Sequence, residues 1–157
     1  MQTRPLPSLV RPLVIALSLA LTGCAPQLTL YDAGTVDRTA DLATLTIGIY
    51  QDLLILPPSE RAAAVERLRP RYAQAETRLR VQLLRQESRF ANAASAVAAH
   101  EMLNLWQEAS AGQLRGEPAA LSSAMLLTYR DRIEQLFRVL LSAEEGKRLL
   151  TLVPLVE

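Results

Sequence analysis

The side chains able to do chemistry in this sequence are few. Cys24 is the only cysteine and His100 the only histidine, so any Cys–His or Ser–His nucleophilic machinery has to use that one imidazole. On a helix, the positions three and four residues from His100 are Ala96, Val97, Leu103 and Asn104, none of which carries a carboxylate or imidazole. Glu101 points about 100° away, so a metal site would need ligands from other helices. A solvated or core-edge histidine is the simpler reading, and neither a catalytic nor a metal-binding constellation is expected. No glycine-rich phosphate loop is visible, nor a strand to carry one. A further carboxylate, Glu87, is followed by Ser88, Arg89 and Phe90 and then by Asn92, Ala93 and Ser95. Its plainer reading is the polar side of a helix end. A row of arginines precedes it. Arg67, Arg71, Arg78, Arg85 and Arg89 fall within about 40° on a helical wheel. They offer a contact surface for anionic envelope polymers, lipid head groups or an acidic protein, or else a solvated face whose stems cover the core edge.

Cys24 has a different context. Residues 1–11 hold two arginines and no acid, and residues 12–21 form an apolar run without charge. That run is too short to span a bilayer of about 30 Å and matches the core of a secretory signal. It leads into Leu21-Thr22-Gly23-Cys24, which resembles the lipobox of bacterial lipoproteins. The resemblance implies that the Cys24 thiol receives a diacylglycerol, that a peptidase removes residues 1–23, and that the new amine is acylated, palmitate being the typical chain. The lipid on Cys24 would then be the only covalent group, with no other cofactor. A lone cysteine at this position leaves no thiol for a disulfide. Two acyl chains suffice for stable anchoring, whereas one is marginal. Ala25 and Pro26 follow instead of the Asp that retains enterobacterial lipoproteins in the inner membrane, so the outer membrane, periplasm-facing, is expected.

Two further resemblances concern the mature chain. Glu87-Ser88-Arg89-Phe90 resembles the first motif of lytic transglycosylases, which would make Glu87 the acid of a peptidoglycan-cleaving enzyme. The spacing departs from that family, because Ser95 stands eight residues after Glu87 where nine is usual. Glu101-Met-Leu-Asn104 also lacks the glycine of the next motif. Leu56-Pro-Pro-Ser-Glu60-Arg61 and Leu141-Ser-Ala-Glu-Glu145 resemble the repeated motifs of Spy and CpxP type periplasmic helical proteins, which include chaperones and stress sensors. That likeness implies a non-enzymatic, client-binding cradle. Helix capping alone also explains both segments.

The elements that must position these residues are helices. Gly and Pro are sparse across 36–110 while Ala, Leu, Arg and Glu abound, a helix-favouring composition. Loss of Arg4 and Arg11 with the signal leaves 15 basic against 16 acidic side chains, which speaks against a nucleic-acid partner. Sixteen of the 17 basic residues are arginine, a usage bias more than a binding signal.

After a tether at 24–35, a single helical domain spans 36–157. Its first segment, roughly 36–55, carries Leu42, Leu45, Ile49, Leu53 and Leu56 at helical spacing, with Gly48 inside it for close packing. Pro58 suits the first turn of a second segment at about 58–88. There Val65, Leu68, Tyr72, Ala75, Leu79 and Leu83 keep phase across Pro70, which predicts one kinked helix. A third segment, about 91–110, places Ala94, Val97, Ala98, Met102, Leu105 and Trp106 inward, and Ala111–Pro118 reads as a loop. A fourth, about 118–141, buries Leu121, Met125, Tyr129, Ile133, Leu136 and Leu140. Ser142 and Glu145 have capping-box spacing, predicting a short last helix over 143–151. The whole reads as an all-α antiparallel bundle of about four helices plus that short C-terminal helix. Its function is expected to be non-catalytic: a lipid-anchored module that binds an envelope protein or polymer.

Overall fold

A computed structural model describes residues 30–152, with side chains to Leu149. The described chain is an all-α bundle of four helices: α1 (Ala33–Leu54), α2 (Pro58–Ser88), α3 (Ala93–Leu114) and α4 (Ser123–Leu152). Each helix packs mainly on two neighbours, α1 on α2 and α4, and α3 on α2 and α4. Short connections make successive helices antiparallel. The start of α1, the α2–α3 turn and the end of α4 therefore share one end of the bundle, called here the Leu30 end. The α1–α2 and α3–α4 turns share the other. No helix among the described residues is long and apolar enough to cross a membrane.

The apolar stripes explain most of the core. Leu42, Ile49, Tyr50 and Leu53 of α1 meet Val65, Tyr72, Ala75 and Leu79 of α2, and all are buried. Pro58 opens α2 at its first turn. The helix continues through Pro70 without ending, because Pro70 and Glu66 both face solvent. Water can satisfy the Glu66 carbonyl that Pro70 leaves without a donor.

Three expectations are corrected. On α3, Ala94 and Val97 are exposed, while Ala99, Leu103 and Ala109 join Ala98, Met102, Leu105 and Trp106 inside. A helix wedged between two neighbours buries a wide face, and a narrow stripe misplaces its edge. On α4, Met125 is half-exposed and Leu126 and Phe137 are fully buried, so the true stripe runs Leu126, Tyr129, Ile133, Phe137, Leu140 and then Glu144. No break follows Leu141, and the expected short last helix is the continuation of α4. Ser142 therefore caps nothing. The serine at the start of α4 is Ser122, whose Oγ accepts from the Met125 amide at 3.4 Å, a capping contact.

The expected 111–118 loop starts late. Gln113 is buried and accepts from the Tyr72 hydroxyl at 2.7 Å, which holds α3 helical to Leu114. The chain then turns at Gly116, in the left-handed region with φ 70°, where glycine is favoured. A side chain on Gly112 would stand 2.9 Å from the Ala120 methyl, so a glycine is needed for this loop to close on α3.

At the turn end, Arg61 is buried with no carboxylate beside it. Its Nε donates to the Leu53 and Leu56 carbonyls at 3.0 and 3.1 Å. Nη1 donates to the Leu121 carbonyl at 2.7 Å and Nη2 to Ser123 Oγ at 2.9 Å. The cation thus sits on the carbonyl-rich C-terminus of α1, the negative end of its dipole. Above it lies an aromatic cluster. Trp106 meets Tyr50 edge-on at 6.2 Å and Tyr72 at 5.4 Å between ring centres, arrangements that ring quadrupoles favour.

Two predictions follow from these contacts. Arg61→Met keeps the stem but strands the Leu56 and Leu121 carbonyls, and should lower stability by about 2 kcal/mol. A urea melt with shifted midpoint and unchanged slope checks this. Burial pushes the Tyr50 hydroxyl far above the usual tyrosine range, with Tyr72 adding to the effect, and burial does the same for Tyr72. Because the neutral phenols are favoured in the fold, the stability they contribute is present below the unfolded tyrosine value, about 10, and is lost as pH rises above it. Ultraviolet titration should show these two tyrosines ionising only as the protein unfolds.

Candidate functional site

The five arginines that share one side of the wheel do not share one fate. Arg71 pairs with Asp52 of α1, and its guanidinium lies over Gly48, where a side chain would stand 3.1 Å from Nη2. Gly48 therefore lets an α2 arginine cross the α1 surface. Arg89 lies beyond the end of α2 in extended backbone, with φ −87° and ψ 127°. It turns inward to hold Glu144 with both Nη atoms, at 2.6 and 3.2 Å, and donates to the Leu30 carbonyl at 2.5 Å. Arg67, Arg78 and Arg85 are exposed, and among the described residues their side chains enter no ion pair. Of the five arginines, two are thus engaged within the fold and three are left exposed.

The Glu144 site is the feature that the sequence hides. Its carboxylate is 2% exposed and takes Arg89 from the α2–α3 turn and Lys147 from its own helix, the latter at 2.5 Å. Lys147 also donates to Asn92 Oδ1 at 2.6 Å. Asn92 in turn donates to the carbonyl and side chain of Gln86 at 3.0 and 2.5 Å. Gln82 of α2 donates to Thr39 of α1 at 3.0 Å, with both residues buried. The core at the Leu30 end is thus polar and hydrogen-bonded, in contrast to the aromatic core above it. One negative and two positive groups converge there, and their partners are all protein atoms. This arrangement clamps helices together.

Arg78 and Arg85 do something else. With Arg38 of α1 they line a cleft of about 320 Å³ between α1 and α2, whose lining includes Leu42, Val81 and one carboxylate, Asp41. Arg38 also reaches Asp32 at 3.0 Å. The Thr35 hydroxyl and then Arg38 hold the Asp32 carboxyl below its ordinary value. A second cleft, about 330 Å³, lies between α3 and α4 and mixes Glu101, Glu108 and Arg132 with amides. Tyr129 donates to Glu108 at 3.0 Å beside it, and burial followed by that bond raises the Tyr129 hydroxyl.

The remaining candidates are placed as follows. His100 is exposed on α3. Among the described residues no three His, Cys, Asp or Glu side chains converge as metal ligands. Glu87 is exposed in the last turn of α2, and Ser88 Oγ donates to the Arg85 carbonyl at 3.0 Å. Ser95 is buried and lies 3.5 Å from the Lys147 ammonium, so the motif's serine is engaged with α4. Of the two Leu-initiated segments, 56–61 spans the end of the α1–α2 turn and the first turn of α2, and 141–145 lies inside α4, two unlike settings. Cys24 and the lipobox residues Leu21, Thr22 and Gly23 lie outside the described residues. No family model matches the chain, and comparison with curated proteins and with solved structures finds no match.

Glu144→Gln would leave two cations facing each other at a mostly buried site. It should cost about 3 kcal/mol or more, whereas Glu145→Gln next door, at an exposed position, should stay within about 0.5 kcal/mol of wild type. Chemical denaturation of the pair measures the contrast.

Proposed function

We propose that this chain is a lipid-anchored envelope protein. Acyl chains on Cys24 hold it at the outer membrane, facing the periplasm, and its non-catalytic bundle binds an anionic envelope component through the arginine side of α2. The observation that carries the binding part is the α1–α2 cleft, which Arg78 and Arg85 line together with Asp41 and with Arg38, itself paired with Asp32. Arginines with structural work are engaged elsewhere in the fold. Arg61, Arg71 and Arg89 all have oxygen partners, as do the exposed arginines at 69, 80, 115 and 138. Arg78 and Arg85 have none among the described residues, and an open cleft beside them leaves room for an incoming anion. The anchoring part rests on Leu21-Thr22-Gly23-Cys24 and the apolar run before it.

Two measurements test the reading separately. Intact mass of the protein from envelope fractions should show residues 1–23 absent and a diacylglyceryl group on Cys24, with Cys24→Ser leaving the chain unmodified. A bare Cys24 thiol in the wild type overturns the anchor. Arg78→Glu with Arg85→Glu should abolish recovery of crosslinked envelope material, and unchanged recovery overturns the surface.

A further inference from the structure

If Cys24 is the acylated residue, covalent geometry limits where the bundle can be. Leu30 is six residue steps beyond Cys24, and an extended chain covers at most about 3.5 Å per residue. Residue 30 thus stays within roughly 20 Å of the bilayer surface. The same end carries Arg38 in the second turn of α1 and Arg85 in the last turn of α2. The α1–α2 cleft therefore opens on the half of the bundle nearest the lipid.

That half also exposes more apolar surface than folding requires. Leu84 is 64% exposed and Val81 41% exposed, both next to the cleft arginines on α2, and Leu30 is 76% exposed. Phe90, Val97 and Leu149 are exposed there too, whereas Ile55, Met125 and Leu127 are scattered toward the opposite end. Apolar side chains interleaved with arginines are the composition of surfaces that sit at the boundary between head groups and acyl chains.

Local charge points the same way. Arg69, Arg80 and Arg138 each pair with an acid three or four residues away on their own helix, Glu66, Glu76 and Glu134. Three and four residues from Arg78 stand Gln74, Ala75, Val81 and Gln82. At the same distances from Arg85 stand Val81, Gln82, Ser88 and Arg89. Arg78 and Arg85, without an ion pair among the described residues, stand with Arg38, which pairs with Asp32, around a cleft able to take a phosphate-bearing anion. The chain from residue 24 onward carries one more acid than base, so attraction to an anionic surface has to arise from this local cluster and not from net charge.

We infer that the Arg38–Arg78–Arg85 cleft binds the phosphate head group of an anionic phospholipid in the leaflet that holds the anchor, with Val81 and Leu84 resting at the head-group boundary. The bundle then lies against its own membrane along the α1–α2 face and does not swing freely on its tether. This inference rests on the anchored-lipoprotein reading and names the anionic component that the same cleft takes.

The test uses the chain from residue 24 onward, which contains the whole bundle, with Cys24→Ser to remove the acyl anchor. Flotation is measured with neutral phosphatidylcholine vesicles and with vesicles containing about one third phosphatidylglycerol. Binding is expected to the anionic vesicles alone, and to fade as salt shortens the Debye length below about 5 Å. Arg78→Glu with Arg85→Glu should weaken it at least tenfold. Arg67→Glu, an equally exposed change nearer the turn end of α2, should leave it within twofold. Circular dichroism shows that each variant folds. Equal binding to both vesicle types, or equal loss from Arg67→Glu, overturns the proposal. Displacement by millimolar inorganic phosphate, beyond what chloride achieves at matched ionic strength, overturns the lipid as ligand in favour of a free phosphate. The mass of wild-type Cys24 is measured independently, so a missing anchor and a missing head-group site give different results.

Discussion

Burying a guanidinium is tolerable only where oxygen atoms meet its N–H groups, and this bundle is arranged around that requirement. Arg61 finds its oxygens at the end of α1 and the start of α4, so one side chain fixes three of the four helices relative to one another. Arg89 does the same at the opposite end, drawing Leu30, the α2–α3 turn and α4 onto Glu144. The apolar residues between them supply the area, but the two cations decide how the ends close. A carbonyl cluster serves Arg61 better than a carboxylate would, because α1 already ends there with acceptors in need of donors.

The two halves of the core divide the work. Toward the turn end, Tyr50, Tyr72 and Trp106 fill space that smaller side chains could not. Toward the Leu30 end, Thr39, Gln82, Gln86, Asn92, Glu144 and Lys147 replace apolar contacts with hydrogen bonds. An apolar seam of leucines tolerates sliding, because one turn along a helix offers another leucine. Sliding α4 by a turn would carry Glu144 about 5.4 Å from Arg89 and leave a buried carboxylate without its partners, a loss of several kcal/mol. The polar half therefore sets helix register, at the expense of hydrophobic area.

What the sequence discloses follows from this division. Stripes of Leu, Ile, Val and Tyr identify α1 and α2 as helices, although the buried Thr35, Thr39 and Thr46 of α1 and Arg61, Gln82 and Gln86 of α2 lie outside those stripes. The start of α2 is readable from Pro58. The end of α4 is not, because Glu144 occupies a core position as a charged residue. Read as polar, Ser142 to Glu145 looks like a cap and breaks the helix in two. Alanines blur α3 in the same manner, since Ala94 and Ala98 are alike in sequence and opposite in burial. Arg61 carries no signal at all. Nothing in its neighbours along the chain indicates that Leu121, sixty residues away, will offer it a carbonyl.

The arginine row shows where pattern reasoning reaches its limit. Arg67, Arg71, Arg78, Arg85 and Arg89 occupy nearly the same angle on a helical wheel, so sequence alone treats them as equivalent. Their neighbours distinguish them. At the level of Arg71, α1 presents Asp52 and the bare backbone of Gly48, and the guanidinium settles across the interface. At Arg78 and Arg85, α1 presents Arg38 and Asp41, one cation and one anion that leave the arginines without a committed partner. At Arg89 the helix has ended, and the side chain is drawn into the core by Glu144. The groove between α1 and α2 thus becomes more positive toward the Leu30 end. That gradient comes from the composition of α1. In a nearly neutral protein, such a gradient creates a preferred orientation in the field of a charged surface.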